Sequence, residues 1–348
     1  MDCLGNHHRF GRAKLSDRQR YLGCILASCA WQAVMRRYYL LTPLLLVFLC
    51  GAASFQQAVS STCAGAYGAN PPQPLPMWLE TEAPATSLAT QNRYDLLAGH
   101  LLTAGLVDGS SCPSGGLNSD GSPNACGIEI AQAEAIAWQN RYDASIVNAA
   151  QASQVPPYLI KAVIAVESQF WPAPDWAKGE IGLGQMTEYG ADLLLAYRPN
   201  YARQVCMETL SEEGCNLAYS FQPFANQAML RGTVLRSLDV SCSTCAGGID
   251  PAKGDQAVSV LAETLAASCS QSARLIGVVT GKTPSAWMSY EDFWRFVLAN
   301  YHAGAGCMYQ ALHNSGNYAS WPGIASGLPS GCRSGAEYVR RIEENIKP

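Results

Sequence analysis

The apolar positions of the chain fall into a few runs with different periods. Residues 38–55 form an uncharged, strongly apolar run directly after Met35, Arg36 and Arg37. Across residues 128–153, Ile130, Ala133, Ala137, Trp138, Tyr142, Ile146 and Ala149 lie near one stripe, which predicts a single long helix. Val155-Pro156-Pro157 breaks that pattern and starts the next one, because a proline is tolerated in a first helical turn, where its missing N–H would be unpaired anyway. Residues 158–167 are apolar nearly all round, the pattern of a buried helix. Helical spacing also predicts a short helix within 92–106, one over 188–197 capped by Thr187, an apolar helix over 290–303 and a last one over 337–346. Residues 202–280 read as helical in pieces. Between these runs, 54–90 is rich in Ala, Ser, Gly and Pro and predicts an exposed linker, and 110–127 is a loop of turn formers. Residues 170–187 hold Pro, Gly and Trp and predict a loop or small hairpin. Strand patterns are few and no internal repeat is present, so the fold class is mainly α.

Composition and charge change this picture in two places. The chain has 348 residues, 48% hydrophobic and 14% charged, which is too apolar for a disordered protein and long enough for one large domain or two modest ones. Its net charge of -4 gives no electrostatic case for nucleic acid as a partner. Read from Met35, the apolar run has the layout of a secretory signal over 35–53, with a basic start, an apolar core and the small residues Gly51, Ala52 and Ala53 before cleavage. Residues 1–34 are then a cytoplasmic lead or the product of a mis-assigned start. The alternative is an uncleaved anchor, for which eighteen apolar residues only just suffice. A lipoprotein signal fits poorly, since Leu49 precedes Cys50. Without residues 1–53 the chain keeps 16 basic and 25 acidic residues, a net charge of -9, and ten of its fourteen cysteines. An even cysteine set behind such a signal predicts about five disulfides in an oxidising compartment. Cys112 with Cys126, and Cys206 with Cys215, would close short loops.

Three elements carry candidate chemistry. Glu167 ends the apolar run of 158–167, and a carboxyl in apolar surroundings prefers its neutral form. A carboxylic acid still protonated near neutral pH can donate its proton to a leaving oxygen, as glycosidic cleavage requires. The alternative is a helix-end Glu turned to solvent. Gly182-Leu183-Gly184-Gln185-Met186 places two glycines around one Leu, which suggests a close backbone approach, with Gln185 able to hydrogen-bond a sugar or amide. Asn300-Tyr301-His302-Ala303-Gly304 ends the 290–303 helix, where Gly304 also serves as an ordinary cap. Cys242 and Cys245 admit three readings, a structural disulfide, half a zinc site or a redox pair; no paired histidines and no βαβ pattern support the last two.

In this order the elements resemble the soluble lytic transglycosylase and goose-type lysozyme family. Residues 155–168, VPPYLIKAVIAVES, look like the family's helix with the catalytic Glu-Ser pair. Residues 182–186 are similar to its Gly-Leu-Met-Gln segment, and 300–304 to its Ala-Tyr-Asn-Ala-Gly segment. Tyr338 fits its late tyrosine. The resemblance covers roughly residues 146–346. It implies a lysozyme-like domain over 127–348, behind a linker and N-terminal extension over 54–126, with a small hairpin at the active site. The activity implied is cleavage of the β-1,4 bond between N-acetylmuramic acid and N-acetylglucosamine in peptidoglycan, with no cofactor and no metal. Glu167 is then the general acid and base, Gln185 and Met186 line the sugar groove, Tyr301 holds Glu167, and Ser168 fixes the adjoining loop. Peptidoglycan glycan strands are the implied partner, and contact with a membrane is implied only through the signal or anchor.

The chain departs from the family at three points. Gly184 stands in place of Met, His302 in place of Asn, and about 115 residues separate Gln185 from Tyr301. The extra length predicts a disulfide-rich helical insertion at about 200–285, holding Cys206, Cys215, Cys242, Cys245 and Cys269. Glu180 stands where the family carries a small residue, and a second carboxylate facing Glu167 would favour a muramidase or chitinase that hydrolyses the bond. A non-catalytic, glycan-binding envelope protein is the third reading. It leaves unexplained why an acid is kept at an apolar helix end, where burial costs stability.

Overall fold

The computed structural model describes residues 62–346, and within them the fold is mainly helical. The lead, the signal over 35–53 and the run of 38–55 lie outside the described residues. Helices α1 (Cys63–Tyr67), α2 (Asp95–Thr103), α3 (Ala125–Asn140) and α4 (Asp143–Ser153) precede α5 (Pro157–Ser168), which ends at the candidate acid. Then come α6 (Glu188–Tyr197), α7 (Pro199–Thr209), α8 (Phe224–Ser237) and the long α9 (Gly254–Thr280). The chain closes with α10 (Tyr290–Ala303), α11 (Ala305–Asn314), α12 (Trp321–Ser326) and α13 (Ser334–Ile346). Among the described residues no segment reaches strand length, and none of the helices is long and apolar enough to cross a membrane.

Local chemistry sets the helix starts. Pro157 occupies the first turn of α5. The Thr187 hydroxyl accepts from Gly190 N at the start of α6, and the Ser289 hydroxyl from Asp292 N at the start of α10, where Glu291 and Asp292 also favour the positive end of the helix dipole. The single helix expected over 128–153 is instead two, α3 and α4, divided at Arg141 and Tyr142. Tertiary packing drives the break. The turn sends the Tyr142 ring into the core against Gly254, where even one added carbon would come within 2.5 Å of the ring.

The same turn brings Asp143 to Lys161, in the middle of the otherwise apolar α5. The ammonium donates to Asp143 Oδ1 at 2.6 Å and to Asn140 Oδ1 at 2.8 Å. Both partners are largely buried, at 7% and 10% side-chain exposure. Burial lowers the Lys161 pKa and raises that of Asp143, and their attraction opposes both shifts. Truncating one member of such a pair leaves the other buried and unpaired. Asp143→Ala is expected to cost about 3–5 kcal/mol, read as a lower midpoint in chemical denaturation, whereas an exposed pair such as Arg93–Asp95 should cost little.

Helix α9 is the central strut. Val258, Leu261, Leu265, Cys269 and Ile276 are buried along it, and it packs against α1, α4, α6, α10 and α11. This corrects the reading of 200–285 as one elaboration beside the groove. Residues 254–280 are core, and the peripheral part is 199–253, where α7 and α8 pack on α6. The linker reading of 54–90 also fails for its described part. Cys63, Tyr67, Leu79 and Leu88 are buried, the Tyr67 hydroxyl donates to Met288 O at 2.9 Å, and Thr90 exchanges hydrogen bonds with Gln139 and Asn140 of α3. All ten cysteines in the described residues are paired. Cys112–Cys126, Cys206–Cys215 and Cys307–Cys332 are local, Cys242–Cys245 is the structural disulfide, and Cys63–Cys269 ties α1 to α9 across 206 positions.

Candidate active site

Two tight turns follow α5. An antiparallel bridge pairs Asp175 with Glu180, and a second pairs Ile181 with Met186, each closed by two backbone hydrogen bonds. The second encloses a turn in which Gln185 N donates to Gly182 O at 3.1 Å. This is the small hairpin at the site, reduced to isolated bridges. Ser168 anchors it: its hydroxyl lies 2.9 Å from Leu183 O and 3.2 Å from Ile164 O, its own helix carbonyl.

A groove of about 700 Å³ runs over this turn. Glu167 comes to it from the end of α5, and Asn300, Tyr301, His302 and Ala303 from the end of α10. Thr264 and Gln271 reach it from α9, and Gly184, Gln185, Met186 and Glu180 from the turns. Helix α6 forms a wall with Tyr189, Leu193 and Tyr197 at successive intervals of four, and the Tyr189 ring is 85% exposed. Six of the eight site residues predicted from sequence, Glu167, Glu180, Gln185, Met186, Tyr301 and His302, therefore border one groove; Ser168 lies beneath it, and Tyr338 behind Glu167.

Burial raises the Glu167 pKa to about 7. The Tyr338 phenol opposes that rise, the Glu180 charge adds to it, and the Arg341 charge offsets part of it. Tyr338 is buried between the Tyr301 ring, 6.4 Å away, and the His302 ring, stacked at 4.4 Å. Its hydroxyl completes no hydrogen bond of full geometry, and the carboxyl it acts on is that of Glu167. Tyr301 does not hold Glu167. Its hydroxyl donates to Gly184 O at 2.7 Å, so it pins the turn to α10, and Tyr338 is the phenol that acts on the acid.

This contact explains the glycine at 184. A Cβ there would stand 2.7 Å from Leu261 Cδ1 and 3.0 Å from the Tyr301 hydroxyl, so a longer side chain does not fit between the turn and α9. Desolvation, and then the Arg341 charge, lower the His302 pKa, which favours the neutral form of the imidazole stacked on Tyr338.

Sequence reasoning missed how α5 ends. Gln169 and Phe170 both adopt positive φ, at 46° and 66°, and Gln185 in the neighbouring turn does so at 47°. These conformations are costly for side chains other than glycine and persist where surrounding contacts fix them. Gln169 Oε1 accepts from Leu96 N at 2.9 Å and Leu97 N at 3.3 Å at the start of α2. Trp138 Nε1 donates to Phe170 O at 2.9 Å, and Gln185 Nε2 to Gly182 O at 2.9 Å. No Gly or Pro follows Glu167 directly to announce the turn.

Three carboxylates border the groove. Asp192 is occupied by the Tyr219 hydroxyl and by Arg231 Nη1 at 3.1 Å. Glu180 lies 3.9 Å from Lys178 Nζ and is about one-third exposed. Glu167 is the one whose carboxyl burial pushes up to about 7. The arrangement can deliver a proton at neutral pH into a groove of about 700 Å³ bordered by the Tyr189 and Tyr197 rings. No family model, no curated protein and no solved structure matches this chain.

Proposed function

We propose that the chain is a peptidoglycan lytic transglycosylase with a lysozyme-like domain, in which Glu167 is the single general acid and base. The observation that carries the reading is the Glu167 carboxyl, held near pKa 7 by burial beside a groove of about 700 Å³. The order of the Glu-Ser helix end, the Gly-Leu-Gly-Gln turn and the Asn-Tyr-His-Ala-Gly helix end supports the substrate.

Protonated Glu167 donates to the glycosidic oxygen, and the bond from that oxygen to C1 of the muramic sugar breaks as positive charge develops at C1. The Glu167 carboxylate then takes the proton of the C6 hydroxyl on the same sugar while O6 attacks C1. The products are a free N-acetylglucosamine 4-hydroxyl and a 1,6-anhydro ring, with Glu167 reprotonated and no water consumed. Tyr338 favours the transient carboxylate, since its phenol is what lowers the Glu167 pKa. Five disulfides support an extracytoplasmic setting.

A second reading is hydrolysis, with Glu180 activating a water. It is favoured by the direct effect of the Glu180 charge on Glu167. Digestion of purified peptidoglycan tests both. Soluble fragments with 1,6-anhydro ends, one water lighter by mass than reducing ends, are expected. Reducing ends alone would replace transglycosylation by hydrolysis, and no fragments would remove the enzymatic reading.

A further inference from the structure

Proton bookkeeping along α9 and α10 points to a polar contact outside the machinery above. The Ser268 hydroxyl donates to Val297 O at 3.1 Å, so toward Asn300 it offers only lone pairs. Asn300, 2% exposed at the floor of the groove, must therefore turn its NH2 group to Ser268 Oγ, at 3.3 Å. That same Nδ2 lies 2.9 Å from Gln271 Oε1 and 3.2 Å from Ser272 Oγ. With Oε1 used as an acceptor, Gln271 has its NH2 as the free end of the side chain. Gln271 is half-buried and borders the groove, one heptad along α9 from Thr264, which also borders it.

We infer that Gln271 is a substrate-contact residue whose amide, oriented by Asn300 and Ser268, donates a hydrogen bond to an acyl oxygen of the glycan. The Asn300 Oδ1 beside it is buried away from the groove, so what Gln271 turns to a ligand is a donor, which selects a carbonyl over an amine. Two such oxygens occur on the substrate class proposed, the N-acetyl carbonyl of a sugar and the carbonyl that joins the lactyl group to its peptide. The inference rests on the glycan reading of the groove.

The test measures binding to the full chain carrying Glu167→Gln, whose residual turnover is too slow to consume the ligand during the measurement. The probes are an N-acetylglucosamine hexamer, the corresponding glucosamine hexamer and soluble peptidoglycan strands. Gln271→Ala is expected to weaken binding about three- to tenfold, the size of one neutral hydrogen bond. Gln271→Glu keeps an acceptor for Asn300 but turns an anionic oxygen to the groove, and is expected to weaken binding more than Gln271→Ala does. Thermal melting checks that both variants are folded. A loss on the N-acetylated hexamer but not on the glucosamine hexamer identifies the acetyl oxygen. A loss on peptidoglycan strands alone identifies the lactyl carbonyl. An equal loss on all three probes overturns the inference, since the glucosamine hexamer has no acyl group. Unchanged binding in both variants overturns it as well, while leaving the glycan reading intact. No binding of any probe by the Glu167→Gln parent overturns the glycan reading, and the inference with it.

Discussion

Glu167→Gln is expected to lower peptidoglycan cleavage by about 10²–10⁴-fold, because it keeps the shape of the side chain and removes the transferable proton. The wild-type rate should be high below pH 7 and fall as pH rises through about 7, the value to which burial pushes this carboxyl. The same shift makes a stability prediction of opposite sign. Below the ordinary value of 4.5 the acid is neutral in both folded and unfolded chains, and its burial carries no ionisation penalty. Between 4.5 and about 7 the unfolded chain ionises first, so folding stability falls, and above 7 the whole penalty is present. The glutamine variant lacks that penalty. It should therefore be more stable than wild type by roughly 1–3 kcal/mol at pH 8, after allowance for the part of the carboxyl that meets solvent, and no more stable below pH 4.5. Denaturation midpoints at the two pH values, beside the turnover assay, read both effects. A variant that loses activity and also loses stability at pH 8 would mean that Glu167 is a structural anchor.

The second large effect concerns Cys63–Cys269. This disulfide joins α1 to the middle of α9 and closes 206 positions of chain. Constraint of the unfolded chain grows with the logarithm of the loop, which gives about 5 kcal/mol for a loop of this length. A whole domain is stable by only about 5–15 kcal/mol. Replacing both cysteines with Ser is thus expected to remove a large fraction of the folding stability. Removing Cys242–Cys245, separated by three positions, should cost far less. Denaturation of the two double variants compares them. Equal losses would show that loop closure does not govern their contributions.

Much of the fold was legible where one helix obeys one period. The α10 bounds of 290–303 and the α6 bounds of 188–197 follow from apolar spacing and a capping hydroxyl. Glu167 stood out because it is the carboxyl that ends an apolar helix. Helix α9 is hard to recognise as the core because small and polar residues, Ala262, Thr264, Ala266, Ser268 and Ser272, are buried beside its stripe of Val258, Leu261, Leu265, Cys269 and Ile276, and their burial leaves no mark on an apolar pattern. Composition averages over the segment after Cys63 and so gives it the look of a linker. Its Tyr67, Leu79 and Leu88 dock one at a time, and no period records that. The exchange of roles between Tyr301 and Tyr338 was equally hidden. It depends on how close α10 comes to the 182–185 turn, a distance set by Gly184 and Leu261.

The measurement closest to the central claim is the titration of the Glu167 carboxyl itself, followed by carbon-13 NMR of the folded protein and assigned by difference against Glu167→Gln. The geometry predicts a midpoint at about 7, so that a large share of the protein holds a transferable proton on Glu167 at neutral pH. A midpoint near the ordinary 4.5 would contradict it, because the carboxyl would then be ionised and unable to act as the acid.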